Sequence, residues 1–367
     1  MPQASRIRVS VIGAGWFAAQ NHIPTLAGRS DVVLDGVCRL GEAPLARVRE
    51  HFGFAFASEN HRDLLARKPD AVVVSSPHHL HCEHARDAIE SGAHVLVEKP
   101  LTLDPAEAWD LVSRARARGR HLLVANGYHY LPHLEEIRTR LARGAVGSLE
   151  YVTCSFISAT RAVFEGDVGL GHWSTAFFRP DRSTWQDPAQ GGGFAYGQLS
   201  HSIALMLWLT GLEPLALNAS SFEKGGIDLT DAAAISFRGG AVGHLGGAAA
   251  MPEGSRALLR LLIAGNDGMM TVELDRDWAE IRRHDGTTIK LDIEPDAWIY
   301  RCDGPPNALV DLALGGNSNP SPGEIGASTV AVIEAMRRSA RAGGGRAEII
   351  GPSSAIRSDR SIQAGQQ

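Results

Sequence analysis

Along the first third of the chain, short apolar runs rich in β-branched residues alternate with longer segments whose apolar positions recur at helical spacing. Residues 6–12 (RIRVSVI), 32–38, 71–75, 94–97 and 121–125 read as strands, and 17–27, 44–52, 81–91 and 105–118 read as helices. A short run without polar alternation is a strand covered on both faces. Strands alternating with helices form a parallel sheet with helices on both sides. The pattern predicts a doubly wound α/β domain over residues 1–126.

From residue 149 the pattern changes. Residues 149–157, 214–222, 232–237, 241–249, 257–264, 268–274 and 278–283 read as strands joined by short turns such as Arg238-Gly239-Gly240 and Asn266-Asp267-Gly268. Consecutive strands with such connections pair antiparallel. Only 199–209 and 322–341 read as strong helices here. The fold class expected is α/β plus α+β: an N-terminal Rossmann domain, then an α+β domain at 127–349 built on a large, mostly antiparallel open sheet. The last helix is expected to pack back on the first domain, and the polar end, 350–367, to be a flexible tail. Residues 159–190 form a long loop in which Trp173, Phe177, Phe178 and Trp185 sit among Arg161, Arg179 and Arg182. A long loop with so many aromatics is expected to be a substrate wall or a subunit-contact arm.

Composition narrows the function classes. The 367 residues are 44% hydrophobic and 21% charged, with a net charge of −5, so nothing favours nucleic acid or an anionic membrane. Cys38, Cys82, Cys154 and Cys302 are scattered with no Cys-x-x-Cys spacing, which fits a reducing cytoplasm rather than a disulfide framework or zinc cluster. No basic-then-apolar leader precedes residue 7, and no apolar run is long enough to span a bilayer. A cytoplasmic protein is expected.

The first strand runs directly into Gly13-Ala14-Gly15-Trp16-Phe17-Ala18, a Gly-x-Gly-x-x-Ala loop between a strand and a helix. Gly13 permits the tight turn, Gly15 lets a pyrophosphate approach the backbone, and Ala18 allows close helix packing. The helix start favours the phosphates. Arg39 ends the second strand, where an acidic residue in NAD-selective domains bonds the ribose hydroxyl. Arg39 instead suits a 2′-phosphate, so NADP is expected, with NAD as the alternative. The turn Ser76-Pro77-His78 and the following His81 fall at the same sheet edge and are further cofactor-contact candidates. His78, His81 and His84 match no ligand spacing, and no metal is expected.

Residues 94–97 run into Glu98-Lys99-Pro100, which puts Glu98 and Lys99 at the carboxyl end of a parallel strand, where α/β sheets bind ligands. Lys99 is the expected chemical centre, and Glu98 and Lys99 are both expected to contact the cofactor. Farther on, Gly191-Gly192-Gly193 leads to a helix whose first turn holds His201. There the helix dipole disfavours imidazolium, which suits proton exchange with a hydroxyl. Tyr128, Arg161, Trp173, Trp185 and Gln198 are the candidates for substrate contact.

Taken together, the glycine loop, Glu98-Lys99-Pro100 and the stretch from Gly191 to His201 resemble the glucose–fructose oxidoreductase, inositol dehydrogenase and rhizopine catabolism family, Gfo/Idh/MocA. The resemblance implies hydride transfer between a nicotinamide cofactor and a secondary alcohol of a sugar, inositol or related polyol. It also implies that Lys99 polarises the reacting oxygen, that His201 exchanges its proton, and that a homodimer or homotetramer forms through the C-terminal sheet. One departure stands out: Gly197 takes the place of an Asp four residues before the His, and Leu199 and Ala204 replace a further Gly and Asp. Gln198 and Tyr196 are the nearest replacements. The altered position leaves two rival readings: an NAD-dependent glycoside-cleaving enzyme that oxidises a sugar transiently, and a cofactor-binding regulator without catalysis.

Overall fold

β1 (Ile7–Ile12), β2 (Val32–Cys38), β3 (Phe56–Ser58), β4 (Ala71–Val74), β5 (His94–Val97) and β6 (Leu122–Val124) pair in parallel throughout, in the order β3-β2-β1-β4-β5-β6. The structure is a computed structural model that describes residues 6–166, 177–179 and 182–352. All of β4 is buried, as is β5 apart from His94, which is why these strands carry no polar alternation. The strand order reverses between β1 and β4, and that reversal opens a crevice at their carboxyl ends.

The second sheet has nine strands: β7 (Leu149–Ile157), β8 (Pro214–Lys224), β9 (Ile227–Phe237), β10 (Val242–Ala248), β11 (Leu258–Gly265), β12 (Gly268–Glu273), β13 (Trp278–Arg283), β14 (Thr288–Lys290) and β15 (Ala347–Glu348). Their order is β14-β13-β12-β11-β7-β10-β9-β8-β15, and every pair is antiparallel except β7 with β10. On β7, Val152, Cys154 and Phe156 are buried while their neighbours are not, the period-two signature of a sheet covered on one face. Helices Ser200–Thr210, Pro132–Ala142 and Gly323–Arg341 supply that cover. Ser200–Thr210 is apolar nearly all round because it lies between layers rather than at a surface.

Several elements differ from the reading of the sequence. The helix read over 17–27 is present and continuous, but it is wound as a π-turn over Ala18–His22 before it continues as an α-helix over Ile23–Ala27. β3 and helix His61–Leu65 were too short to show a period. Helix Pro132–Ala142, a further element beyond those expected, places Leu134, Ile137 and Leu141 on one buried face. Helix Gly304–Ala313, not expected from the sequence, opens on Gly-Pro-Pro, and Pro is at home in a first turn. β9 begins at Ile227, five residues earlier than read, because Asp228, Thr230 and Asp231 interrupt the apolar run. The loop read over 159–190 contains short helices Arg161–Glu165 and Arg182–Gln186 among its described residues. Most of the polar end, 353–367, lies outside the described residues.

The chain crosses back after β14, so the two cores do not divide at residue 126. Leu309, Val310 and Leu312 pack with Val9 and Val11 of β1. Ser321 then accepts the Val124 amide through its carbonyl at 3.0 Å and donates its hydroxyl to the Val124 carbonyl at 2.7 Å, lining up beside β6. Finally, Ala327 and Val330 join the core around Trp109, while Val332, Ile333 and Met336 of the same helix join the core of the large sheet. Among the described residues, no helix is long and apolar enough to cross a membrane.

Candidate active site

Four strand exits converge at the crevice. Gly13 leaves β1 with φ 85°, and a Cβ there would lie 2.3 Å from the Ser76 amide nitrogen, so only glycine lets the exits of β1 and β4 approach this closely. Gly15 faces the opposite situation: the nearest atom to its Cβ position is the Gly13 carbonyl oxygen at 3.9 Å, which leaves open space over the loop. Around this loop lies a cavity of about 790 Å³ that extends from the parallel sheet to the large sheet. A bare backbone cradle at the mouth of a helix, open on the cavity side, fits the pyrophosphate of a dinucleotide.

The cavity is lined by Gly13, Gly15, Trp16 and Phe17 of the loop, by Arg39 and Glu59, by Ser76, Pro77, His78, His81, Glu98 and Lys99, and by Tyr128, Trp185, Gln198 and His201. Two sequence candidates fall elsewhere, and a third is not among the described residues. Ala18 is fully buried behind the loop, packed in the core below it. Arg161 does not line the cavity; its guanidinium is paired with Glu165 one turn along its own short helix, at 3.0 Å, because that carboxylate is the nearer partner. Trp173 lies outside the described residues.

Arg39 follows β2 and reaches back over the loop. It donates from Nη1 to the Ala14 carbonyl at 3.1 Å, and its guanidinium carbon lies 3.8 Å from the centre of the Phe178 ring. The histidines after β4 are held by protein atoms. His81 is buried with its ring nitrogens 2.7 Å from the Pro100 carbonyl and 2.8 Å from the Ser76 carbonyl. His78 faces the Gly191 carbonyl at 3.3 Å, and His84 the Ser76 hydroxyl at 2.9 Å.

Lys99 sits past the end of β5 with its ammonium donating to the Gly197 carbonyl at 2.8 Å. The Trp185 ring centre is 5.8 Å away. Burial pushes the Lys99 pKa down to about 8, against an opposing pull from Glu98. The position of the replaced Asp is physically closed: a Cβ on Gly197 would lie 2.9 Å from the Phe164 ring and 3.3 Å from the Trp185 ring. Aromatic carbon fills the volume that a carboxylate would need, and neither Gln198 nor Tyr196 takes over as the Lys99 contact. The Tyr196 hydroxyl is instead committed to the Leu103 carbonyl at 2.9 Å.

His201 stands in the first turn of helix Ser200–Thr210, just after a second π-turn, Ala195–Leu199. Its ring meets the edges of Tyr300 at 5.0 Å, Tyr128 at 6.2 Å and Phe156 at 6.5 Å. Burial, then the Lys99 and His129 charges, pull its pKa well below the usual imidazole range, so the ring is neutral at neutral pH. Its Nδ1 is buried without a hydrogen-bond partner.

Two features of the site had no usable signal in the sequence. Tyr300 comes from an irregular stretch after β14; its hydroxyl donates to the Ala125 carbonyl at 2.7 Å, and its ring packs edge-on to Tyr128 at 4.9 Å. His22 lies in the first π-turn with Nε2 2.6 Å from Glu98 Oε1. Only the tertiary fold brings either one to the site.

Comparison with known proteins agrees with this geometry. Residues 7–126 match the oxidoreductase family with an NAD-binding Rossmann fold, and residues 134–271 match the Gfo/Idh/MocA C-terminal domain. The D-glucoside 3-dehydrogenase of Escherichia coli (strain K12) is 28% identical over 225 residues, which cover 61% of this chain and 60% of that protein. A glycosyl hydrolase family 109 protein of Akkermansia muciniphila is 26% identical over 47% of this chain and 38% of its own length. The chain thus spans less than two thirds of the length of each of these curated relatives. Levoglucosan dehydrogenase, solved with NADH and levoglucosan, shares the fold with a TM-score of 0.73 at 19% identity, over 94% of this chain and 99% of that one. With both halves matched in sequence and the same two-sheet architecture, the chain belongs to the Gfo/Idh/MocA family of NAD-binding oxidoreductases.

Proposed function

We propose that the protein is an NAD(P)-dependent oxidoreductase that transfers a hydride between nicotinamide and a secondary alcohol or ketone of a sugar, inositol or sugar derivative. The observation that carries this reading is the meeting of Lys99 and His201 in one cavity with the glycine loop. When bound, the nicotinamide supplies or accepts the hydride. Lys99, as ammonium, donates to the substrate oxygen as negative charge develops there, the kind of stabilisation that counts most where water is excluded. Neutral His201 takes or returns the hydroxyl proton. Tyr128, Tyr300 and Trp185 present ring faces and edges that hold a sugar by its C–H groups and exclude water.

For the adenosine end we propose NADP, supported by Arg39 at the β2 exit; Glu59 in the same cavity supports NAD as the alternative. The cofactor belongs to residues 1–126 and the substrate mainly to 127–349 in this reading. A second copy of the chain is the expected partner, through the outer face of the large sheet, where Tyr151, Phe222 and Val242 are exposed. Cytoplasmic location is supported by the unpaired thiols of Cys38, Cys82, Cys154 and Cys302.

A panel of neutral sugars, glycosides and inositols, incubated with NAD or NADP and followed by nicotinamide absorbance, tests the reading. Stoichiometric cofactor reduction with a keto-sugar product supports it. Cleavage of a glycoside with no net cofactor change would establish the second reading, which the similarity to a family 109 glycosyl hydrolase favours. Cofactor binding without turnover on any member of the panel would leave a regulator.

A further inference from the structure

Lys99 shares the interior of the site with a carboxylate that does not pair with it. Glu98 is its chain neighbour and is buried, yet among the described residues no carboxylate lies within ion-pair distance of the Lys99 ammonium, whose contact is a main-chain carbonyl. The Glu98 carboxylate is turned the other way: Oε1 lies 2.6 Å from His22 Nε2, and Oε2 accepts the Lys99 main-chain N–H at 3.2 Å. His22 is 1% exposed, its ring meets the Phe17 ring edge-on at 5.3 Å, and its Nδ1 has no partner. A buried ring with one partnered nitrogen is best satisfied with its proton on that nitrogen, so His22 donates from Nε2 to Glu98. The proposed reaction gives His22 no role, and it stands at the end of the π-turn that follows the glycine loop.

We propose that His22 is a positioning residue that holds Glu98 away from the Lys99 ammonium, leaving Lys99 free to face the substrate oxygen. Without that donor, the buried carboxylate is left short of a hydrogen bond beside a lysine, and the nearest remedy is an ion pair with the ammonium. Such a pair would draw Lys99 from the cavity and favour its charged form. The other groups facing Lys99 do not offer this: His78 and His81 from the segment after β4, and His201 from helix Ser200–Thr210, are buried imidazoles held below their usual pKa and carry no negative charge, and Trp185 presents its ring. The functional weight of the inference rests on Lys99 facing the reacting oxygen, as proposed above.

The chain contains only four lysines, at 68, 99, 224 and 290, so isotope-labelled lysine side chains give a spectrum in which Lys99 is assigned by one substitution. Titrating that signal in the full chain without cofactor or substrate reads Lys99 independently of any enzymatic activity. In His22→Leu the Lys99 midpoint should rise by about one pH unit or more, a tenfold change in its ionisation constant. It should return towards the wild-type value in His22→Leu combined with Glu98→Gln, and stay near it in His22→Gln, whose amide retains a donor. If His22→Leu does not fold, His22→Asn, whose amide stops short of the Nε2 position, takes its place. An unmoved midpoint in the folded single variant, or a rise that persists without the carboxylate, would overturn the proposal. Because the titration needs no sugar, a failure of the dehydrogenase reading leaves this result standing, and the reverse also holds.

Discussion

The Lys99 ammonium donates to the main-chain carbonyl of Gly197, 2.8 Å away, the residue that stands where the family resemblance implies an aspartate. A carbonyl offers an acceptor without a charge, so the lysine is oriented but not neutralised. In the proposed reaction Lys99 and His201 divide the polarising and proton-exchanging work.

Removing either should therefore be costly to chemistry and cheap to cofactor binding. Lys99→Met and His201→Asn should each lower kcat by about 10²- to 10⁴-fold, with the cofactor Kd within a few-fold of wild type. Because Lys99 loses its proton as pH rises through about 8, ketone reduction by the wild type should decline above that pH. Steady-state rates against pH check this; a rate that keeps rising past that point would remove Lys99 as the donor.

Restoring the family residue should not restore anything. In Gly197→Asp the new Cβ collides with Phe164 and Trp185, and overpacking of this kind costs roughly 1–3 kcal/mol. Lower thermal stability and lower activity are expected together. Pairing the change with Phe164→Ala opens the volume and should recover part of the stability, measured by denaturant unfolding of both variants.

The proposed role of Arg39 is open to a direct binding test. Fluorescence titration should show NADPH binding more tightly than NADH, and Arg39→Ala should abolish the difference, since a guanidinium–phosphate contact is charge-assisted. Equal affinities in the wild type, unaffected by the mutation, would transfer the assignment to Glu59 and NAD.

Asp231 supplies a stability prediction unconnected to the reaction. Its side chain is buried on β9, with Oδ1 accepting from Ser221 at 2.6 Å and Oδ2 unpartnered. Burial, then the neighbouring Asp228, push its pKa up to about 8. The folded chain thus holds a proton that the unfolded chain releases near pH 4, and stability falls as pH rises across that interval. Asp231→Asn should gain stability at pH 8, on the order of 1–3 kcal/mol, and the gain should shrink towards pH 4. A gain independent of pH would refute the assignment.

Much of this was legible in the sequence because it depended on neighbours in the chain. The glycine loop, the strand exit at Glu98-Lys99 and the turn before His201 are local patterns, and residues of each line one cavity. What the sequence withheld depended on distant packing. Arg161 looked like a free cation in an aromatic loop, but a one-turn helix gave it Glu165. Tyr300 and His22 carry no periodic or motif signal, and only the meeting of separate segments places them beside His201 and Glu98. The loss of the aspartate was visible in the sequence, but not that Phe164 and Trp185 had taken its volume.

The helix Gly323–Arg341 has apolar residues in two cores at once. A fragment ending near residue 126 would expose the sites on Val124 and Trp109 that this helix and the preceding segment cover, and such a fragment is expected to aggregate rather than serve as a portable nucleotide-binding module. The same sharing makes unfolding of one half expensive for the other. Heating should melt the chain in a single transition, and any opening of the crevice must bend around a helix that belongs to both of its walls.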